Sequence, residues 1–268
     1  MKRLIVNADD FGFTRDVNAG IIHAHRGGVL TATTLMANGK AFDDAVRLAR
    51  ETPSLDVGCH LALVQGYSLI TRRPLPAKPR DLLIALAKRE IDVEAELRAQ
   101  IRKIIASGLR PTHLDSHKHT HIVPLVFRAV VRLAHEFGIP YVRLPLDATV
   151  PCSQAACRLL RRYYAGLTQS YNVRLTDHFV GFRLTGHLTE ETFGRAISSL
   201  GEGTTEFMCH PGFLGAELQG AATRLKESRV RELEALTSPR IRKLIEAQGI
   251  TLTGYRYALT GAGSKPTY

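Results

Sequence analysis

A chain of 268 residues with 44% hydrophobic content is long enough for one large α/β domain or two small ones. No apolar run reaches the length of a membrane span, and Met1-Lys2-Arg3 leads straight into a strand-like segment without a signal-peptide pattern, so a cytoplasmic location is expected. The net charge of +11 is spread over helix-like segments (Arg98, Arg102, Lys103; Arg240, Arg242, Lys243), and without Trp there is no basic-aromatic stripe of the kind that stacks bases. The charge therefore reads as solvated helix faces and not as a nucleic-acid surface.

Strand-like and amphipathic helix-like runs alternate along the chain. The first strand, Arg3–Asp9, leads into Asn7-Ala8-Asp9-Asp10-Phe11-Gly12, with Thr14 placed to cap the helix that follows. A second strand covers Val29–Ala37. The third, Asp56–Leu63, carries Gly58-Cys59-His60-Leu61. The Pro-rich stretch Arg73–Pro79 reads as a loop over the rim, after which Asp92 can cap a helix that Gly108 ends. The fourth strand, Pro111–His117, opens the run Thr112-His113-Leu114-Asp115-Ser116-His117-Lys118-His119-Thr120-His121. Pro124–Phe137 is apolar at helical spacing and stops at Gly138. Strands Tyr141–Pro145 and Asp177–Phe182 come next, then a helix Glu190–Leu200 capped by Thr189. The seventh strand, Thr205–His210, closes on Cys209-His210-Pro211-Gly212. Ser238-Pro239 starts a helix that Gly249 ends, Thr251–Ala258 is the eighth strand candidate, and Gly261–Tyr268 is a frayed tail. The cysteines (Cys59, Cys152, Cys157, Cys209) show no CxxC pairing and read as reduced thiols, with Cys59 and Cys209 filling strand positions.

Such alternation implies a parallel sheet with crossover helices, and eight strands imply one TIM-like (β/α) barrel over residues 1–268, with room for distortion. An open doubly wound sheet shares the pattern but gathers its site at a switch point. Here Asp9, Asp10, His60, His117 and His210 all sit at C-terminal strand ends, where barrels build their active sites.

These residues can hold a divalent metal, which needs imidazoles and carboxylates from separate elements and an open position for water. Adjacent Asp9 and Asp10 can divide the work at a strand end, one binding metal and the other acting as a base. Alone, His60 reads more readily as a satisfied core histidine than as a ligand, and only the other fragments shift that weighting. While strand geometry holds, Asp115, His117, His119 and His121 share a face with His113 beside them; two or three can touch one ion, and the others support, contact substrate or pack. His210 could donate a proton to a leaving group. GxSxG, P-loop and GxGxxG signatures are absent, which leaves metal-dependent hydrolysis as the leading chemistry.

The four motifs, in order over nearly the whole chain, resemble those of the YdjC-like carbohydrate deacetylases, whose branches include ChbG-type chitooligosaccharide deacetylases and a hopanoid-associated group. Leu114-Asp115-Ser116 leans toward the sugar-oligomer branch. The resemblance implies a (β/α)-barrel enzyme that removes acetyl groups from N-acetylated amino sugars. It implies Asp10, His60 and His117 as metal ligands, Asp9 as general base and His210 as general acid, held protonated by a neighbouring carboxylate. Asp115, His119 and His121 fall to substrate contact or support of the ligands. The family is described with magnesium, although two imidazoles and a carboxylate suit zinc or another transition metal better. The loop Tyr67–Arg80 and the segment Leu146–Cys157 are expected to set sugar specificity, and a homodimer is one option for assembly. Two rivals stand beside this reading. A metal-independent glycoside hydrolase using Asp9 and Asp115 would leave the histidines unexplained, and a non-enzymatic metal- or nucleic-acid-binding protein would show no turnover.

Overall fold

The computed structural model describes residues 1–144, 146 and 154–258. Its strands are β1 (Lys2–Phe11), β2 (Ala32–Leu35), β3 (Asp56–Leu61), β4 (His113–Ser116), β5 (Tyr141–Val142), β6 (His178–Val180), β7 (Gly203–Cys209) and β8 (Thr251–Leu252). All their ladders are parallel, in the order β5-β4-β3-β2-β1-β7-β6. The helices are α1 (Arg15–Gly27), α2 (Phe42–Arg50), α3 (Pro79–Ala87), α4 (Val93–Ala106), α5 (Pro124–Glu136), α6 (Gln154–Ser170), α7 (Glu190–Ser198), α8 (Ala216–Gly220), α9 (Glu227–Thr237), α10 (Pro239–Ala247) and α11 (Tyr255–Ala258).

The barrel-type fold expected from the alternation is present, in a distorted form. Arg143, just past β5, bonds Glu206 on β7 at 2.7 Å, so strands far apart in the sheet order meet across a common interior and the sheet is curled. Two details differ from a regular eight-stranded ring. β8 is only two residues long and pairs with Arg3 and Leu4 of β1, below the stretch that β2 occupies, while β7 pairs with β1 directly. The expected strand Thr251–Ala258 instead turns into α11. Pro145, most of Leu146–Cys157 before α6 and the tail Gly261–Tyr268 lie outside the described residues.

Period-two alternation explains how the interior is layered. On β1, Leu4, Val6 and Ala8 join the large apolar cluster under the helices, while Ile5 packs with Ala32, Tyr141 and Tyr255 in a separate inner cluster. Above that apolar plug the inward positions become polar. Asn7 accepts from His113 Nε2 at 3.0 Å and donates to Asp9 at 3.1 Å. Gly58 on β3 makes room for this layer, because a Cβ there would lie 2.5 Å from the His113 carbonyl oxygen.

Helix punctuation follows the sequence closely. Thr14 and Asp92 accept from Val17 and Ala95 backbone N–H groups, and Thr189 forms a capping box with Thr192. Pro124 and Pro239 open α5 and α10. The turn between β1 and α1 needs Gly12 at φ +91°, held by a bond from its N–H to the buried Asn18 side chain.

Candidate metal centre and active site

Asp10, His60 and His117 arrive from the C-terminal ends of β1, β3 and β4 and meet at one point. His60 Nε2 lies 3.3 Å from His117 Nδ1, and Asp10 Oδ1 lies 3.4 Å and 3.0 Å from those two nitrogens. Adjacent strand residues would point to opposite faces, but Asp10 has φ +71°, which turns its carboxylate onto the same cavity that Asp9 lines. Gln65, Lys118 and His119, all lining that cavity, also have positive φ. Left-handed backbone in residues without a glycine's freedom is costly, and its concentration around one cavity marks a constrained site.

The outer hydrogen bonds of the two imidazoles decide what they present inward. His60 Nδ1 donates to Asp115 Oδ1 at 2.7 Å, and His117 Nε2 donates to Gln65 Oε1 at 2.8 Å. With their outer nitrogens donating, the rings turn His60 Nε2 and His117 Nδ1 toward each other and toward the point that Asp10 Oδ1 also faces. Three converging acceptors repel unless a cation sits among them, so this donor set fits a divalent ion with nitrogen and oxygen ligands. Burial opposes a charge on His60, yet Asp115, Asp10 and Asp9 push its pKa up to about 10, which shows how strongly the position favours a cation. Burial likewise opposes ionisation of Asp10, but Arg229, His117 and His60 hold its carboxyl well below the usual range.

Asp9 sits beside this cluster in a buried charge network. Arg143 grips both its oxygens at 2.7 and 2.8 Å, and also binds Asp115 at 2.8 Å and Glu206 at 2.7 Å. Burial would raise the Asp9 pKa, but Arg143 above all pulls it well below the carboxylate range, so Asp9 is ionised. Glu206 pays for the crowding: burial pushes it up to about 7 against the pull of Arg143.

His210, at the end of β7, also lines the cavity, with Nε2 4.0 Å from Asp9 and Nδ1 4.0 Å from Glu232. The sequence reading has a carboxylate holding His210 protonated. Both carboxylates lie beyond hydrogen-bond reach, however, and burial pulls its pKa down to about 4. The resting imidazole is neutral.

The His-rich run does not keep strand geometry as far as His121. β4 ends at Ser116 and a 3₁₀ turn (His117–Ile122) follows, broken by left-handed Lys118 and His119. His119 reaches the cavity wall against Phe182, their ring centroids 5.1 Å apart. His121 turns into the core, where its Nε2 meets the Arg143 carbonyl at 3.1 Å and its Nδ1 meets the Ser116 hydroxyl. Asp115 is fully buried behind His60. The loop Tyr67–Arg80 faces a separate cavity of about 670 Å³, while the cavity at Asp10, His60 and His117, about 650 Å³, is walled by residues 182–187 and 222–229.

Gln65, Arg143, Glu206, Arg229 and Glu232 escaped the sequence reading because none belongs to a motif. One signal was available: Glu206 sits between Thr205 and Phe207-Met208 in an otherwise apolar strand, and a charge there must find a partner inside.

Comparison with known proteins places the chain in a family. The model of the family described as YdjC-like protein matches residues 3–247. A carbohydrate deacetylase of Brevibacillus brevis is 36% identical, covering 94% of this chain and 98% of its own, and one of Geobacillus stearothermophilus is 35% identical, covering 94% and 96%. A crystal structure of an Enterococcus faecalis protein named for cellobiose-phosphate cleavage superposes with a TM-score of 0.79 at 28% identity, over 96% of this chain and 98% of that one. The lactam utilization protein of Thermus thermophilus shares the fold alone, with a TM-score of 0.52 at 16% identity, over 94% of this chain and 99% of that one. The chain belongs to the YdjC-like family.

Proposed function

We propose that this protein is a metal-dependent carbohydrate deacetylase, hydrolysing the acetamide of an N-acetylated amino sugar such as a chitooligosaccharide or an N-acetylglucosaminyl conjugate. The observation that carries the reading is the convergence of Asp10, His60 and His117 with inward lone pairs beside an ionised Asp9 and a neutral His210. Asp10, His60 and His117 would hold a divalent cation, which would supply Lewis acidity for the acyl oxygen and lower the pKa of water from near 16 to roughly 7. The ligand set favours zinc or another transition ion, with magnesium the alternative.

The chain's own groups then manage one proton. Asp9 accepts it as water adds to the acyl carbon, with Arg143 keeping the carboxylate in place. Through a bridging water that closes the 4.0 Å gap, His210 takes that proton and delivers it to the amine nitrogen as the C–N bond breaks, leaving the free amino sugar and acetic acid, which ionises to acetate. Since His210 starts neutral, it carries the proton within the cycle instead of arriving charged.

Around the cavity, Lys118, Arg183 and Arg224 form no ion pair among the described residues; burial lowers the Lys118 pKa, Asp10 opposes that, and Arg224 and Lys78 add to it. This cationic wall suits a sugar with an anionic substituent. A glycoside hydrolase fits less well, because Asp115 does not line the cavity and shares Arg143 with Asp9. The test is incubation with N-acetylglucosamine oligomers, with and without an anionic group, scoring acetate and free amine. Release of both in equal amounts, abolished by chelator and restored by added cation, is expected. Reducing ends without amine, or turnover indifferent to chelation, would reject the reading.

A further inference from the structure

Glu96 and Gln100 are buried polar side chains one turn apart on α4, and neither lines the cavity at Asp10, His60 and His117. Gln100 clips the backbone just past β3: its Oε1 accepts from the Ala62 N–H at 2.8 Å and its Nε2 donates to the Ala62 carbonyl at 2.7 Å. Glu96 holds the stretch beyond, accepting from the Ser68 hydroxyl at 2.6 Å and from the Leu69 N–H at 3.0 Å. Gln100 Nε2 also donates to Glu96 at 2.8 Å, so the two act as one clamp. Burying a carboxylate and an amide is costly unless their hydrogen bonds are made, and here those bonds converge on residues 62–69.

Between the two anchored ends the chain reverses. Gln65 and Gly66 are both left-handed, at φ +61° and +73°. Glycine adopts that backbone freely, whereas glutamine does so at a cost. The turn brings Gln65 Oε1 to 2.8 Å from His117 Nε2. The other ring nitrogen, Nδ1, lies 3.0 Å from Asp10 Oδ1 and 3.3 Å from His60 Nε2. A neutral imidazole carries one proton. A proton on Nδ1 is donated to Asp10, and both atoms are then lost to a cation. An acceptor at Nε2 draws the proton to the far side of the ring and leaves Nδ1 and Asp10 free to bind. Asp115 accepts in the same way from His60 Nδ1, but it does so from a strand. His117 has only the amide that the clamped turn delivers.

We propose that Gln65 is a positioning residue for the cation: its side-chain oxygen holds the Nε2 proton of His117 so that Nδ1 faces the metal, and Glu96 with Gln100 keep the turn that makes this contact. The proposal rests on the metal-centre part of the deacetylase reading. Groups that accept from a ligating imidazole orient the ring and raise its basicity, and their loss weakens metal binding without removing a ligand.

The test measures zinc affinity of the metal-free full chain by competition with a chromophoric chelator, together with the urea midpoint of the same protein without metal. Gln65→Leu is expected to bind zinc roughly 10–100-fold more weakly. Gln65→Glu, whose carboxylate accepts the same proton, should bind zinc at least as tightly as wild-type protein. Gln65→Gly relieves the positive φ, so its metal-free midpoint should stay at or above that of wild type while zinc affinity falls as in Gln65→Leu. A residue that only supported the loop would lose stability and zinc together. Glu96→Gln should weaken zinc binding in the wild-type background and add little to Gln65→Leu, because both act through one hydrogen bond. Wild-type zinc affinity in Gln65→Leu and Gln65→Gly would overturn the proposal, and equal losses from Glu96→Gln in both backgrounds would overturn the part given to the clamp. Should the variants misfold, the nitrogen-15 spectrum of the histidines in zinc-loaded wild-type protein decides. His117 protonated at Nε2 and bound through Nδ1 supports the assignment, and binding through Nε2 defeats it. Wild-type protein that takes up no divalent cation would fail the metal reading itself, whereas a cation-binding wild type with indifferent Gln65 variants would fail this inference alone.

Discussion

His60 and His121 are the same residue type, equally buried and near each other in the fold, yet they meet opposite electrostatics. Burial acts against charge on both. Around His60 stand Asp115, Asp10 and Asp9, which overcome burial and lift its pKa to about 10. Around His121 stand the Ser116 hydroxyl and the Arg143 carbonyl and guanidinium, and its pKa falls to about 3. His113 belongs with His121: it stacks on Tyr255 at 3.8 Å, and burial with Arg143 holds its pKa well below normal. The lesson is that a histidine-rich run is not a ligand set. The sign of the neighbouring groups separates histidines whose surroundings favour a cation from histidines whose surroundings refuse one.

Substitutions should separate the two classes. His60→Ala or His117→Ala should remove stoichiometric cation binding and lower turnover beyond the roughly 10⁴-fold that loss of a single acid or base costs. His121→Gln should keep one cation per chain. Elemental analysis of the dialysed variants checks this, and cation loss in His121→Gln would erase the distinction.

Asp9 and Asp10 offer the same contrast among carboxylates. Asp9→Asn should keep the cation and lose about 10²–10⁴ in kcat, because only the base is removed. Asp10→Asn should lose cation affinity as well, and asparagine tolerates the positive φ at that position, so the backbone is not the cause. Equal cation content in the two variants would contradict the division.

Arg143 joins the reactive layer to the structural one. Arg143→Met strands Asp9 and Asp115 without their buried partner and should cost about 3–5 kcal/mol of stability by urea denaturation. Lysine should restore little, since it cannot reproduce the two-pronged grip on Asp9.

The smallest effect is on pH dependence. His121 has a folded pKa of about 3, far below the 6.5 of an unfolded histidine, so below pH 6.5 the unfolded chain takes up a proton that the folded chain refuses. Its contribution to stability is complete above pH 6.5 and declines as pH falls toward 3. Between pH 6.5 and 5 the loss is up to about 2 kcal/mol. Urea midpoints at pH 7.5 and pH 5 should therefore differ less in His121→Gln than in wild-type protein. An equal difference would place His121 outside the acid response.

Much of this arrangement is legible in the sequence where a residue's role follows from local order. Strand ends carrying Asp9-Asp10, His60, His117 and His210 can be read because barrels place chemistry at that rim, and caps such as Asp92 and Thr189 can be read because their bonds are local. The course of the chain after His117 is not legible. Lys118 and His119 take a left-handed conformation that no glycine announces, so a strand-like alternation breaks without warning. Arg143 and Arg229 are hidden for another reason. Each reaches its carboxylate across more than a hundred residues of sequence, and no spacing rule encodes such pairs. β8 illustrates the limit for the fold: two residues pair with β1 before Tyr255 turns inward as a plug, and tertiary packing decides that outcome over local strand propensity.

The central claim is that Asp10, His60 and His117, and no other histidines of the run, hold one divalent ion. X-ray absorption spectroscopy on protein loaded with a single zinc equivalent tests it most directly, comparing wild-type with His117→Ala and His121→Gln. The account predicts a nitrogen- and oxygen-only shell at about 2.0–2.2 Å with two imidazoles, unchanged in His121→Gln and lost in His117→Ala. A shell that keeps both imidazoles in His117→Ala, or loses one in His121→Gln, would contradict it.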